Sequence, residues 1–194
     1  MRKRAILVLA ILVKAALGNS AVLADASGSS KGVYGSWYGG VGISFMSISS
    51  DETIYADGTE GAGIYLLGGY RFNSLFSLEV FYTGSLDNNM VSNVFGVGPR
   101  FTFLNLRETM VAPWLAVYLS GVSLEWKDDN VSTDSLSFSG SGGVDVKIGD
   151  STFIEIALRY YPFSDDFKQG STTFDEDVDT DIYEIGVSCI FHGW

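Results

Sequence analysis

The sequence predicts an all-β fold, a transmembrane up-and-down antiparallel β-barrel of eight strands, preceded by a cleavable signal peptide. Three observations lead to this prediction: an apolar N-terminal stretch behind basic residues, eight segments that alternate in polarity, and an aromatic-ended final strand. A strand that presents an apolar face with period 2 needs lipid opposite that face, and it crosses a bilayer in about 9 to 11 residues.

The N-terminus has the pattern of a secretory signal peptide. Basic residues at 2–4 precede an apolar run at 5–13, and Ala-Asp-Ala at 24–26 has the spacing of a cleavage site. The apolar run is shorter than the roughly 20 residues that a spanning helix needs. We therefore predict a signal peptide over residues 1–26 and a single barrel domain over residues 27–194.

The composition is apolar and acidic at the same time. The chain has 23 Gly, 3 Pro, 14% aromatic residues and a net charge of -11, with a mean hydropathy of +0.20. Without residues 1–26, which hold four basic residues and Asp25, 8 basic residues face 22 acidic ones and the net charge is -14. Ordinary soluble domains seldom combine these properties, and such a charge argues against nucleic acid as a partner.

Eight segments alternate in polarity, and the gaps between them are alternately short and long. The segments cover residues 36–47, 61–72, 75–83, 91–103, 111–126, 136–148, 152–162 and 181–192. The short gaps are 73–74, 104–110 and 149–151, and the long gaps begin near residues 48, 84, 127 and 163. An even number of strands with this alternation predicts periplasmic turns, outer loops and two periplasmic termini.

The last strand carries the clearest single signal. Its outward face alternates through Tyr183, Ile185, Val187, Cys189 and Phe191, and the chain closes on Trp194. This pattern is typical of the strand that ends an outer-membrane barrel. A soluble sandwich or a lipocalin-like barrel with its apolar residues inside is the alternative fold.

One stretch of the sequence resembles a known family. GYRFNSLFSLEVFY, residues 69–82, is similar to the second hairpin of the small eight-stranded barrels related to outer membrane protein A, in its barrel domain only, and to outer membrane protein X. The terminal strand is similar as well. The resemblance implies a location in the outer membrane of a Gram-negative bacterium. It says little about activity, because that family contains structural anchors, adhesins, invasion factors and proteins without a known role.

Period 2 also assigns charged side chains to the barrel lumen. Apolar neighbours on the opposite face of each strand turn four basic and four acidic residues inward. They are Arg71, Glu79, Arg100, Asp145, Lys147, Glu155, Arg159 and Glu184. A buried ion needs a partner, and an eight-stranded barrel is barely wide enough for its own side chains. We expect a plug of ion pairs, with a pathway for protons or ions as the alternative.

Aromatic side chains collect where the strands meet the two interfaces of the bilayer. One group lies toward the short turns and includes Trp37, Phe72, Phe101, Phe103 and Trp194; the other lies toward the loops and includes Phe45, Tyr82, Trp126 and Phe138. Such rings suit the headgroup boundary. Trp126 alone has a functional alternative, which is stacking on a sugar above the membrane.

The predicted outer loops are acidic, and the fourth is the most charged, with Asp165, Asp166, Glu176 and four further Asp residues. Of these, Asp175, Asp177, Asp179 and Asp181 alternate along one face if the last strand extends above the membrane. Carboxylates so spaced suit weak binding of Ca²⁺ or Mg²⁺. Solvated loop acids are the simpler interpretation, and no metal site is assigned.

The sequence does not predict an enzyme or a cofactor. Glu184, Ser188 and His192 are four residues apart on one strand, which places neighbours about 13 Å from each other, too far for a proton relay. Our hypothesis is a monomer with a structural or surface-interaction role, and the alternatives are a narrow porin-like channel and a surface adhesin. The expected partners are outer-membrane lipid, lipopolysaccharide, a surface ligand, and the periplasmic chaperones and barrel-assembly machinery during biogenesis.

Overall fold

Eight antiparallel strands form a closed barrel in which each strand pairs with the next and β8 pairs with β1. A computed structural model describes residues 35–50, 59–86, 90–104, 108–127, 131–169 and 172–193. The strands are β1 (Ser36–Ser50), β2 (Thr59–Arg71), β3 (Phe76–Leu86), β4 (Met90–Thr102), β5 (Val111–Trp126), β6 (Val131–Lys147), β7 (Thr152–Gln169) and β8 (Thr172–Gly193). The predicted eight-stranded antiparallel barrel is confirmed. The predicted signal peptide lies outside the described residues.

The described residues contain no helix that is long and apolar enough to cross a membrane.

The barrel has two unlike ends. At the turn end lie the short connections after β2, β4 and β6, together with the first residue of β1 and the last of β8. The Asn73 side chain stabilises the first of these turns, because its Oδ1 accepts hydrogen bonds from the amides of Leu75 and Phe76 at 2.9 and 2.8 Å. The opposite end, where β1–β2, β3–β4, β5–β6 and β7–β8 connect, is the hairpin end.

Side chains alternate between an apolar outer surface and a filled lumen. In β2, for example, Ile64 and Leu66 are exposed, while Tyr65, Leu67 and Arg71 are buried. The same alternation in the other strands exposes a belt of large apolar side chains that includes Val41, Ile43, Leu78, Val80, Phe95, Val97, Val117, Leu119, Ile156, Leu158, Ile185 and Val187. Such a belt needs lipid around it.

Three strands extend at least five residues further toward the hairpin end than the sequence predicts. β6 begins at Val131 rather than near 136, β7 continues to Gln169, and β8 begins at Thr172. The segment predicted as the fourth outer loop is therefore mostly a β-hairpin. Asp is depleted in strands, which makes an Asp-rich segment read as a loop. Here the ladder between β7 and β8 overrides that preference as far as the pair Gln169–Thr172.

The ladder between β6 and β7 is interrupted. Pairing runs from Lys147–Phe153 up to Gly140–Tyr160, and it resumes only at Ser132–Lys168 and Val131–Gln169. Residues 133–139 of β6 and 161–167 of β7 do not pair with each other, although both strands keep their pairing on the other side, to β5 and β8. Pro162 lies in this stretch and has no amide hydrogen to donate.

Toward the hairpin end the lumen is filled by apolar side chains. We call this group the apolar core; it consists of Met46, Ile48, Met90, Val94, Val122, Leu124, Trp126, Val131, Phe163, Val178 and Ile182, all of them buried. Trp126 belongs to this core with 6% of its surface exposed, so its assignment to the outer aromatic girdle is wrong. Alternate residues of β5 face the lumen, and Trp126 lies on the same side of the strand as the buried Trp114, Tyr118 and Leu124.

Candidate functional site

Six of the eight charged residues assigned to the lumen meet in one cluster. We call Glu79, Arg100, Asp145, Glu155, Arg159 and Glu184 the lumen charge cluster; all six are buried. Arg100 is its centre. The guanidinium donates from Nη1 to Glu79 at 3.0 Å and to Glu155 at 2.7 Å, and from Nη2 to Asp145 at 2.6 Å. One cation on β4 thus binds acids on β3, β6 and β7.

Arg159 extends the cluster to β8. Its Nη2 donates to Glu155 at 3.0 Å, and its Nη1 donates to Glu184 at 3.2 Å. Glu155 is therefore shared by the two arginines, with one carboxylate oxygen toward each. Four carboxylates surround two guanidinium groups, so hydrogen-bond donors other than arginine must satisfy the remaining carboxylate oxygens.

Hydroxyl groups supply most of those donors. Tyr38 and Tyr118 donate to Glu79 at 2.9 and 2.6 Å, and Tyr161 donates to Glu184 at 2.6 Å. Ser188 donates to Glu155 at 3.2 Å. Among the described residues, Asp145 Oδ1 is the one buried carboxylate oxygen of the cluster without a hydrogen-bond partner. These hydroxyls hold the acids in place through neutral, directional contacts.

Aromatic rings cover the flat faces of both guanidinium groups. The Arg100 Cζ lies 4.0 Å from the ring centroid of Trp114, and the Arg159 Cζ lies 3.7 Å from that of Tyr65. Both distances are well inside the roughly 6 Å range of a cation–π interaction. The Nη atoms of each guanidinium bind carboxylates and one face of each contacts a ring, while the Nε atoms of both arginines are buried without a hydrogen-bond partner among the described residues.

Every strand contributes to this layer. The contributions are Tyr38 from β1, Tyr65 from β2, Glu79 from β3, Arg100 from β4, Trp114 and Tyr118 from β5, Asp145 from β6, Glu155, Arg159 and Tyr161 from β7, and Glu184 and Ser188 from β8. Arg100 and Glu155 are three strands apart in a ring of eight, so their contact crosses the lumen. The layer therefore spans the lumen from wall to wall.

Two of the predicted lumen charges lie outside the cluster. Arg71 is buried at the turn end, where its Nη1 donates to the Ser74 carbonyl at 3.3 Å. It forms no ion pair with an acid among the described residues, because Tyr38 lies between it and Glu79, with the Tyr38 ring 5.9 Å from Arg71 Cζ. Lys147 is half-buried at the last residue of β6.

Two glycines make room for the cluster. A side-chain carbon at Gly69 would overlap the ring of Tyr38, its cross-strand partner, and a carbon at Gly186 would come within 2.6 Å of Arg159 Nη1. Glycine in a strand often marks such a close approach. The charges were predicted from their positions on the lumen-facing side of each strand. The aromatic partners lie on the same side and could have been predicted in the same way; they are Tyr38, Tyr65, Trp114, Tyr118 and Tyr161.

The fold and a family model together decide what kind of protein this is. Residues 10–191 match the model described as "Outer membrane protein beta-barrel domain". The chain belongs to this family. It is therefore an outer-membrane β-barrel. A search of curated protein sequences returned no match.

Solved outer-membrane barrels have the same fold at low sequence identity. The chain is similar to outer membrane protein OprG of Pseudomonas aeruginosa, with a TM-score of 0.58, 9% identity and coverage of 82% of this chain and 96% of that one. AlkL, determined in lipid bilayers, gives a TM-score of 0.57, 11% identity and coverage of 86% and 94%. Neisserial surface protein A gives a TM-score of 0.52, 16% identity and coverage of 80% and 96%. At these identities the likeness concerns the fold.

The acids proposed for weak cation binding lie on β8 rather than in a loop. Asp179 and Asp181 are partly exposed, and Asp181 accepts a hydrogen bond from Tyr160 at 2.7 Å. The side chains of Asp175 and Asp177 lie outside the described part of the chain. No group of three or more His, Cys, Asp and Glu side chains that is suited to a metal ion occurs among the described residues.

Glu184, Ser188 and His192, whose spacing along β8 argues against a proton relay, have other contacts in this barrel. Ser188 donates to Glu155, and Glu184 accepts from Arg159 and Tyr161. His192 stacks on Tyr38 with 5.1 Å between the ring centroids. Ser188 and Glu184 are thus engaged in the lumen charge cluster and not in a relay with His192.

Proposed function

We propose that this barrel is a closed outer-membrane scaffold: it spans the membrane without conducting and presents its hairpin end to the outside for interaction. In this arrangement both mature termini lie in the periplasm. The observation that carries the proposal is the layer around Arg100, to which all eight strands contribute. The buried apolar core between this layer and the hairpin end supports it further.

The alternative is a narrow porin-like channel through the same lumen. A conducting path would require a continuous file of water past the two arginines. The two guanidinium groups are held by four carboxylates and are covered by Trp114 and Tyr65, so they leave few donors for that water. Separating these charges also costs several kcal/mol, since each would be left partly unpaired in a poorly hydrated lumen. These contacts favour the closed state.

Planar-bilayer recording tests the proposal. The mature chain is refolded into lipid, its folding is checked by the heat-dependent gel shift of a closed barrel, and currents are recorded. We expect no stepwise conductance from the wild-type protein. Steady openings would favour the channel over the closed scaffold if Glu79→Ala changes their conductance and Glu125→Ala does not. Glu125 is the matched control because it is an exposed acid near the hairpin end of β5.

A surface interaction through the β7–β8 hairpin is the second candidate. β7 has 18 residues and β8 has 22, whereas a strand crosses the bilayer in about 9 to 11. The hairpin therefore projects well beyond the membrane. Its acids, Asp166 and Asp179 among those described, favour a basic partner. An adhesin role would use this surface.

Shortening the hairpin tests that candidate. Ser164 and Asp179 are cross-strand partners, so residues 165–178 can be replaced by an Asn-Gly turn without changing the register below. Bacteria that display the barrel are compared for adherence to cultured epithelial cells. We expect the shortened form to lose adherence while it keeps its gel shift, and Asp134→Asn on β6 to keep both. Unchanged adherence of the shortened form would exclude this hairpin as the adhesive surface.

A further inference from the structure

Arg71 is a buried cation that leaves one edge of its guanidinium unused. Only 2% of its surface is exposed, yet Nε and Nη2 have no hydrogen-bond partner among the described residues. These two nitrogens form the edge that binds a carboxylate through parallel hydrogen bonds. The hydrogen bond from Nη1 to the Ser74 carbonyl, at 3.3 Å, is longer than the usual value of about 2.9 to 3.0 Å. A buried charge held so weakly needs an acid as its partner.

Asp145 is the acid of the lumen charge cluster that still has an unused oxygen. Its Oδ2 accepts a hydrogen bond from Arg100 at 2.6 Å, while its Oδ1 is buried without a partner among the described residues. Glu155 shows how this cluster shares an acid, because one of its carboxylate oxygens faces Arg100 and the other faces Arg159. The same arrangement at Asp145 requires a second arginine on Oδ1.

Arg71 and Asp145 lie at the same end of the lumen, on opposite walls. Arg71 is the last residue of β2, and Asp145 is two residues from the last residue of β6. These strands are four apart in a ring of eight, so their inward side chains face each other across the lumen. Asp145 also attracts Arg71 more strongly than Glu79 does. The approach to Glu79 is blocked by Tyr38, whose hydroxyl donates to that acid at 2.9 Å.

We propose that Arg71 is a latch with two positions, one on the Ser74 carbonyl and one across the lumen, with its Nε and Nη2 edge on Asp145 Oδ1. In the second position a carboxylate lies between Arg71 and Arg100 and offsets their mutual repulsion. The four carboxylates and two guanidinium groups of the cluster carry a formal charge of -2, which a third guanidinium reduces to -1. The latch thereby connects the turn after β2 with the lumen charge cluster, whether or not the lumen conducts.

Solid-state NMR of the wild-type barrel in lipid bilayers tests the second position. Transfer of magnetisation is measured from the guanidinium nitrogens of Arg71 to carboxyl carbons. We expect transfer to Asp145 and none to Glu184, the control acid, which is bound by Arg159 and Tyr161 on the far side of the cluster. In Arg71→Gln the carboxyl signal of Asp145 should shift, and that of Glu184 should stay in place.

A double-mutant cycle measures the strength of the same contact. Arg71→Gln removes the charge but keeps a donor for Ser74, and Asp145→Asn keeps the shape of the acid. Their combined effect on the unfolding equilibrium constant in lipid vesicles should differ about tenfold from the product of the single effects, the size of a hydrogen bond between charged groups. Arg71→Gln combined with Glu184→Gln, the control cycle, should stay within about twofold of additivity.

Three results would refute the latch. The first is transfer from Arg71 to the Ser74 carbonyl carbon alone, and the second is a coupling to Asp145 no larger than that of the control cycle. The third is a saturable shift of the Arg71 guanidinium on addition of inorganic phosphate, because a soluble anion then pairs with Arg71 in place of Asp145. The transfer experiment uses the wild-type barrel, so it decides the question even where a variant does not refold. Bilayer currents test the closed scaffold and leave this contact untouched.

Discussion

The position of Tyr38 depends on the absence of a side chain at Gly69. The two residues are cross-strand partners, and the Tyr38 ring lies over the Gly69 backbone while its hydroxyl reaches Ser77 and Glu79. Tyr38 also separates Arg71 from the lumen charge cluster. One small residue therefore determines which charges pair in the lumen.

Gly69→Ala should accordingly destabilise the barrel. The added methyl group overlaps the Tyr38 ring, and overpacking of this kind costs about 1 to 3 kcal/mol. Gly140→Ala is the matched control, because a carbon added at Gly140 meets nothing within 4 Å, and its effect should stay within about 0.5 kcal/mol. Reversible urea unfolding in lipid vesicles measures both. Equal effects of the two substitutions would contradict the contact assigned to Gly69.

Arg100 is the residue on which the lumen charge cluster depends most. Arg100→Met removes the cation and leaves Glu79, Asp145 and Glu155 without their main partner. Breaking a buried ion pair in this way costs about 3 to 5 kcal/mol. Urea unfolding of the refolded variant measures the loss, and Trp114, which stacks on Arg100, should change its fluorescence. A loss below about 1 kcal/mol, the range of an exposed pair, would mean that Arg100 is hydrated.

At the scale of elements, β7 and β8 combine a membrane-crossing part and a projecting part. The crossing part is closed on both sides, by β6 through residues 153–160 and by β1 through residues 180–193. The projecting part is paired mainly within its own hairpin, with register shifts between Asp165 and Lys168. The two parts should therefore differ in their contribution to stability.

Removal of residues 165–178 should leave the barrel folded. The ladders that close the barrel lie outside the deleted segment, apart from the pairs that Lys168 and Gln169 form with β6. We expect the shortened barrel to keep the heat-dependent gel shift and to lose about 1.5 to 3 kcal/mol of its unfolding free energy, because the deletion removes the buried side chain of Val178 from the apolar core. A barrel that no longer refolds would show that the projecting hairpin belongs to the folding core.

The sequence predicts which residues of a strand face the lumen, because that follows from period 2. It does not predict where β7 and β8 end or which charges meet, because these depend on the pairing of neighbouring strands. The inward positions of Glu79, Arg100 and Glu155 follow from the alternation of each strand taken alone. The ends of β7 and β8 do not, because an Asp-rich segment becomes strand only through its partner strand. Which charges meet depends on register and on the space that Gly69 and Gly186 leave, so Arg71 was placed in the lumen correctly but without its true neighbours.

At the scale of the whole molecule, the exposed apolar belt fixes the barrel in the bilayer. Leu158 lies about six residues above the turn end of β7, near the middle of the belt, and 63% of its surface is exposed. Leu136 lies on β6 near the interface on the hairpin side. Both side chains lie on the outer face of the barrel, so the two positions differ mainly in their depth in the bilayer.

A charge introduced at these two positions should report that difference in depth. Leu158→Arg should lower the unfolding free energy in lipid by about 2 to 4 kcal/mol, and Leu136→Arg by about 1 kcal/mol or less, because the cost of a lipid-facing arginine falls toward the interface. Urea unfolding in vesicles of one lipid composition measures both. A larger loss at Leu136 than at Leu158 would contradict the placement of the belt.

We propose a lumen that is closed by charges that bind each other and exclude water. Solid-state NMR of the barrel in lipid bilayers tests it most directly, through the transfer of magnetisation from the Arg100 guanidinium to the carboxyl carbons of Asp145 and Glu155 and through its hydrogen exchange with D₂O. We predict strong transfer to both carboxyl carbons and slow exchange, as the contacts of 2.6 and 2.7 Å require. Weak transfer with fast exchange would show a hydrated lumen and rule out the closed barrel.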